Sequence, residues 1–468
     1  MSTLYLHIGT PKTATTSIQK FCMENQEILN KKGFSYPVLN FKYPRVEIRR
    51  NGHFLVGKLS NSDGQEDFEK EEALWNEGLT LVHNELEKFD NVILSDENIW
   101  NSSNGDKFDF WERLKKDAEQ NNYQIKVIVY LRRQDDLANS WLSQQIKEGW
   151  NTYAGVKWDT FIHRPKGVVL DYYGLLEKIA EVIGKENIIV RIFERNRFLG
   201  NGGTIYSDFL DVVGLEYTDE FQVVTEETNP SLTANSQEIR RVINTILPDK
   251  DSTRSFLRKI SEECERVKSP DNVFEMLTEA QSDSFMKKYA QGNAAIAREY
   301  LGLDSDELFS HKSRAATRWT PQNDFMHEDI IRFFGLIAVA QKEEIDKLKD
   351  QLQREKTNRE NSLKVFLKNS QGEELVDNDE IQKGIASLGE QLLENQKEMK
   401  SLKEESNKSR LLRDKVKSMD AQILTLKNDI FVLRRANEEL KKKNEELKQT
   451  IERVVYKIKH PLSVIFKK

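Results

Sequence analysis

Short runs of consecutive apolar residues recur through the first part of the chain: "LYLHI" at 4–8, "NVILS" at 91–95, "IKVIVYL" at 125–131 and "NIIVRIF" at 187–193. Uninterrupted runs of this length predict strands buried on both faces. Between them the apolar positions change to helical spacing, as in "DYYGLLEKIAEVIG" at 171–184 and in the stretch from Ser17 to Leu29, where Ile18, Phe21, Ile28 and Leu29 recur. Strands that alternate with helices predict an α/β fold built on a mostly parallel sheet, with helices over both faces.

The pattern changes between about residues 310 and 340. Beyond it glycine nearly vanishes, and Lys, Glu, Gln, Asn and Leu dominate. From Val416 the apolar positions step by three and four: Met419, Ile423, Leu426, Ile430, Leu433, then Leu440, Leu447, Ile451, Val454 and Ile458. This spacing predicts a coiled coil, and the two vacancies in its seam are Asn437 and Asn444, both at a positions. Facing asparagines bond each other readily in two strands, so the expected assembly is a parallel homodimer. Between 343 and 411 the repeat is broken and no single register is assigned. The expected organisation is therefore an α/β domain at 1–310, a helical junction at 311–342, a helical coiled-coil region at 343–460 with regular heptads at 416–458, and a tail at 461–468.

Composition narrows the classes of function. At 468 residues the chain can hold two domains, and a net charge of −6 offers no bulk attraction to nucleic acid. Cys22 and Cys264 are the only cysteines, too few for a disulfide framework or a zinc cluster. No basic segment followed by a long apolar core opens the sequence, and the longest apolar patch, "IIRFFGLIAVA" from Ile330, is short and carries Arg332. These features predict a cytoplasmic protein. The tail after Pro461 mixes Leu462, Val464, Ile465 and Phe466 with lysines. It reads either as a partner-docking or frayed end, or as a weak contact with an anionic membrane, which would bring the protein to the inner membrane surface.

The first candidate chemistry lies in "LHIGTPKTATTSIQ" at 6–19, where a predicted strand turns into a predicted helix. Unpaired amides and the positive end of the helix dipole make such a junction an anion site, to which Lys12 adds charge and Thr13, Thr15 and Thr16 add hydroxyls. A magnesium-dependent nucleotide loop would read G-x-x-x-x-G-K-[ST]. Here the lysine comes third after Gly9, and Ala14 stands where a second glycine would. The second lies in "VYLRRQDDLANSWLSQQIKEG" at 129–149: Arg132 closes a strand, and Ser140 follows eight residues later, about two turns into a helix. In an open α/β sheet both segments would face the crevice beyond the strand ends.

Taken together, Pro11, Lys12, Thr13, Ala14, Thr15 and Thr16 in "PKTATT", with Arg132 and Ser140 in order and spacing, give the chain its resemblance to a known family. The sequence resembles sulfotransferases that use 3′-phosphoadenosine 5′-phosphosulfate (PAPS), of the bacterial, carbohydrate sulfotransferase-like type. The resemblance covers roughly residues 1–300 and implies a P-loop-like three-layer fold. It also implies that the Lys12 loop binds the 5′-phosphosulfate while Arg132 and Ser140 bind the 3′-phosphate. The family's loop has glycine where this chain has Ala14, which keeps the backbone N–H.

The implied reaction moves a sulfuryl group to a hydroxyl of a carbohydrate or glycoconjugate. Charge develops on the leaving phosphate oxygen, where Lys12 can act directly, so no metal is expected. For the base, the strand ending at Ser95 delivers Asp96 and Glu97, of which Glu97 is the first choice; both could equally be helix-start carboxylates. His53 in "RNGHFL" is a second candidate. "GNGGT" at 200–204 could approach an adenine, and Trp141, Trp150 and Trp158 could stack on sugar rings or fill core. Two other readings stay open, a nucleotide-binding kinase or hydrolase and a non-catalytic scaffold whose coiled coil is the working part.

Overall fold

A computed structural model describes residues 1–369 apart from 40–42, 45, 62, 106, 224–230, 247–250, 270–273 and 313–317, together with the single positions 387, 390, 394 and 397. The heptads at 416–458 and the tail at 461–468 lie outside the described residues. The chain divides into two compact units, Met1–Glu343 and Glu344–Lys468.

In the first unit, five strands form one sheet: β1 (Ser2–His7), β2 (Phe34–Ser35), β3 (Asn91–Ser95), β4 (Tyr123–Leu131) and β5 (Ile188–Ile192). Their order is β2-β3-β1-β4-β5, and every pairing is parallel. Leu6 in the central strand lies beside Leu94 on one side and Val127 on the other. The chain leaves β1 toward the β2 edge, returns to β3, and then crosses β1 to reach β4. The direction of winding thus reverses between β1 and β3, and their carboxyl ends frame the crevice in which open α/β sheets bind ligands.

The apolar runs become strands because both faces of the sheet are covered. Leu4, Leu6, Val92, Leu94, Val127 and Val129 point to one face, where they meet Trp111, Leu114, Leu176 and Ile179. Ile93, Ile128 and Tyr130 point to the other, against Ile18, Phe21, Phe209 and Leu210. Alternate residues of one strand therefore enter different cores, as a period of two requires. A third apolar cluster joins Ile239 and Ile243 of helix Ala234–Asn244, Leu257 and Ile260 of helix Asp251–Arg266, and Met326 and Phe333 at the start of helix Met326–Asn369. In the second unit the described residues up to Asn369 continue this last helix, and positions 387, 390, 394 and 397 are helical.

The helix expected from Ser17 to Leu29 is two helices, Thr15–Glu24 and Gln26–Lys31. Asn25 divides them, because its side-chain amide donates to the Phe21 and Gln222 carbonyls at 2.9 and 3.1 Å while its carbonyl accepts from the Gln222 amide at 2.7 Å. A side chain that mimics a backbone strand competes with the helical ladder and ends it. Among the described residues no helix is long and apolar enough to cross a membrane, and Cys22 and Cys264 are buried free thiols.

Candidate active site

The loop after β1 is held by continued pairing with β4. Ile8 and Thr10 donate to the Ile128 and Tyr130 carbonyls at 3.0 and 2.9 Å. Gly9 has φ +98°, and a Cβ there would lie 3.3 Å from the backbone of Glu97, so the two strand ends can approach this closely only at a glycine. Helix Thr15–Glu24 starts without a side-chain cap, and its first intrahelical bond runs from Ile18 N–H to Ala14 C=O at 3.0 Å. The amides of Thr15 and Thr16, ahead of that bond, have no acceptor within the helix.

Lys12 and Ala14 both adopt the left-handed backbone conformation, at φ 66° and 57°. This conformation costs a residue with a Cβ about 1–2 kcal/mol, which accounts physically for glycine being the easier choice at position 14. Thr13 departs from its expected role: it is fully buried, and its hydroxyl donates to the Thr10 carbonyl at 2.6 Å, holding the turn rather than facing the cleft.

Lys12 points into a cleft of about 630 Å³ that is also lined by Thr15, Thr16, Arg50, Glu97 and Ser140. Its ammonium donates to Gln144 Oε1 at 2.9 Å. Burial, and then the neighbouring cations Arg132 and Lys147, push its pKa down to about 8, against the pull of Glu148 and Glu97.

The end of β3 separates two adjacent carboxylates by environment. Asp96 is fully buried. It accepts from Arg50 Nε and Nη2 at 3.0 and 2.8 Å, from the Asn98 amide at 2.7 Å, and pairs with His53 Nδ1 at 3.0 Å. Burial alone would raise its pKa, but the bond to His53 and the Arg50 ion pair outweigh burial and hold the carboxyl below its ordinary value. Asp96 is thus a charged anchor rather than an acceptor facing solvent. Glu97 lines the cleft and accepts from Gln19 Nε2 at 2.9 Å, with Arg50 Nε 3.5 Å from its other oxygen. It makes no side-chain cap on the short helix Asn98–Ser102.

His53 does not line the cleft; it stands behind Asp96 with its ring edge-on to Tyr43 at 4.7 Å. Beneath the site, Gln19 also reaches Ser95 Oγ at 3.3 Å, which pairs with His7 Nδ1 at 2.8 Å. Burial, opposed by Asp96, pushes His7 down to about 3, so it is neutral there.

At the end of β4, Arg132 donates to the Lys12 carbonyl at 3.1 Å, and its own carbonyl accepts from the Tyr172 hydroxyl at 2.7 Å. Arg132 and Ser140 line an adjoining cavity of about 240 Å³ whose apolar wall is Phe274, Met276 and Leu277. Asn139 also lines it, with Oδ1 buried and without a hydrogen-bond partner. Ser140 is shared by the two cavities, which makes the helix Gln134–Glu148 their common wall. Trp141 and Trp150 line the larger cleft, whereas Trp158 is buried core.

The structure therefore brings together Pro11, Lys12, Ala14, Thr15, Thr16, Glu97 and Ser140 at one cleft and joins Arg132 to it through Ser140. It turns Thr13, Asp96 and His53 away. Gln19, Arg50 and Gln144 are site residues that the sequence reading misses. Gln144 carries a signal, being one helical turn past Ser140 on the same face. Arg50 lies outside any helix or strand, where no period marks it. Among the described residues no group of three or more His, Cys, Asp and Glu could hold a metal ion. No protein-family model matches the chain, and no curated protein matches its sequence.

Two outcomes follow from these environments. Ala14→Gly relieves the left-handed strain and raises stability by about 1 kcal/mol, read as a higher urea midpoint with an unchanged slope; a lower midpoint contradicts the strain. Asp96→Asn leaves Arg50 and His53 without their anion and costs about 3 kcal/mol at pH 7. A depressed carboxyl pKa gives stability that is complete above the unfolded value of about 3.9 and is lost as pH falls through the folded value. The difference between wild type and Asp96→Asn should therefore shrink below about pH 4; a difference independent of pH contradicts a charged Asp96.

Proposed function

We propose that the protein transfers a sulfuryl group from PAPS to a hydroxyl of a carbohydrate or glycoconjugate. The observation that carries this reading is the pair of joined cavities, one with a half-buried lysine at an uncapped helix start, the other with an arginine and a serine beside an apolar wall. A bisphosphorylated nucleoside has the same layout, with two separate anions and a flat base between polar and apolar surfaces. Asn139 Oδ1 offers an acceptor to the exocyclic amine of such a base.

The donor supplies the group that moves and an anionic leaving phosphate. Glu97 takes the proton of the acceptor hydroxyl as the acceptor oxygen bonds to sulfur, and Lys12 stabilises the charge left on the phosphate oxygen as the old sulfur–oxygen bond breaks. Thr15 and Thr16 hold the 5′-phosphate through their amides, and Arg132 with Ser140 holds the 3′-phosphate. Arg50 and Gln19 fix the Glu97 carboxylate from two sides. Trp141 and Trp150 offer flat apolar faces to sugar rings. The proposal extends to a cytoplasmic homodimer joined through the heptads at 416–458, whose tail at 461–468 either is a partner-docking or frayed end or makes a weak contact with an anionic membrane.

Sulfuryl transfer from radiolabelled PAPS to a polysaccharide panel tests the reading through its variants. Lys12→Ala should lower kcat by roughly 10²–10³-fold while the affinity for adenosine 3′,5′-bisphosphate changes little. Arg132→Ala should weaken the bisphosphate by roughly 10–100-fold and leave adenosine 5′-phosphate unaffected. Because Lys12 acts as the charged form, kcat/KM should fall as pH rises through about 8. Equal losses of rate and binding in Lys12→Ala would contradict its role.

For the base, Glu97→Gln should bind the bisphosphate normally and transfer at roughly 10²-fold lower rate. If Glu97→Gln keeps the full rate while His53→Ala loses it, the histidine replaces it in the mechanism.

A further inference from the structure

Helix Met326–Asn369 uses one side for its own unit: Met326 and Phe333 are buried, and Leu336, Ile337 and Ala340 pack on Ile239, Ile243, Leu257 and Ile260. Roughly a third of a turn away, a second apolar row is open to solvent. Ile331, Phe334, Ile345, Leu348 and Leu352 are 72, 54, 48, 54 and 41 % exposed, and Ala338 is exposed between them. Their spacing is 3-4-7-3-4, with Gln341 in the single gap, so Ile331, Ala338, Ile345 and Leu352 occupy a positions and Phe334, Gln341 and Leu348 occupy d positions. Ile330 and Val339, 37 and 55 % exposed, flank the row at g and b, and apolar residues at this spacing match another helix in a left-handed supercoil.

We propose that the 331–352 face packs, in parallel and in register, on the same face of a second copy of the chain. The flanking charges select this occupant. Glu344 at g lies opposite Lys349 of the next heptad's e position in a parallel pair, giving two symmetric ion pairs per dimer. An antiparallel pair would instead set the e-position lysines 342, 349 and 356 against one another. Lys349 is 70 % exposed and its ion pair with Asp346 of its own helix is long, at 3.9 Å, so exchanging it for a partner's carboxylate costs little. Ile345 at a with Leu348 at d is the pairing that two-stranded parallel coils favour. The seam holds the two α/β domains side by side at the start of the helix, and it is independent of the catalytic reading.

The test is disulfide cross-linking of the full-length chain. Its two native thiols are buried, so an added cysteine reports on its own position. Ile345→Cys and Leu348→Cys, oxidised with glutathione disulfide, should form covalent dimers at least roughly tenfold faster than Lys347→Cys, because only a and d positions bring identical residues within disulfide reach. All three positions are exposed, so the folded domain is not disturbed. Equal rates at the three positions, faster linking at 347, or no linking at any of them overturns the seam, including the case in which the heptads at 416–458 alone hold the dimer.

Discussion

Asp96 is a carboxylate with no contact with water, placed at the end of the strand that borders the topological reversal of the sheet. A buried charge has to be paired or hydrogen-bonded inside the protein: the Arg50 guanidinium pairs with it, and His53 Nδ1 lies within hydrogen-bond distance. The Arg50 guanidinium that pairs with Asp96 also lies 3.5 Å from Glu97, the carboxylate that does face the cleft. One ion pair thus ties the 50–53 loop to β3 and leaves the neighbouring glutamate held but available. The division of labour between two adjacent acids follows from the end of the strand: Asp96, the first residue after β3, turns into the protein, and Glu97, already in helical backbone ahead of helix Asn98–Ser102, turns into the cleft.

The cation side of the cleft is arranged by the same economy of strand ends. Parallel pairing of β1 with β3 and β4 brings Lys12, Glu97 and Arg132 to one edge although they are far apart in the chain. Lys12 is crowded by Arg132 and Lys147 and largely removed from water, so its proton is held less tightly than an ordinary lysine's. Arg132 is steadied through backbone, by the Lys12 carbonyl it binds and by the Tyr172 hydroxyl on its own carbonyl.

Much of this was legible in the chain, for reasons that can be named. Strands buried on both faces are written as continuous apolar runs, and "NVILS" and "IKVIVYL" end where β3 and β4 end. The strand-to-helix loop with Lys12, and Arg132 at a strand end, were visible because each sits at a change of period. β2 has two residues and leaves no pattern. The break at Asn25 depends on Gln222, nearly two hundred positions away, which no local window contains. Glu97 ranks ahead of Asp96 as the base in the sequence, but the sequence does not show what separates the two acids, because that depends on Arg50, His53 and Gln19, which arrive from other segments. Thr13 read as a ligand donor because nothing in the sequence marks the tight turn that sets its hydroxyl against the Thr10 carbonyl.

A nucleoside that carries separate 3′ and 5′ anions is the proposed occupant of the two joined cavities. Titration calorimetry of the full-length protein with adenosine 3′,5′-bisphosphate, and in parallel with ATP and magnesium, addresses it most directly. One bisphosphate should bind per chain, with ATP–magnesium weaker by at least roughly tenfold, since the triphosphate lacks the 3′-phosphate proposed to meet Arg132 and Ser140. Tighter binding of ATP–magnesium, or heat from neither ligand, would contradict it.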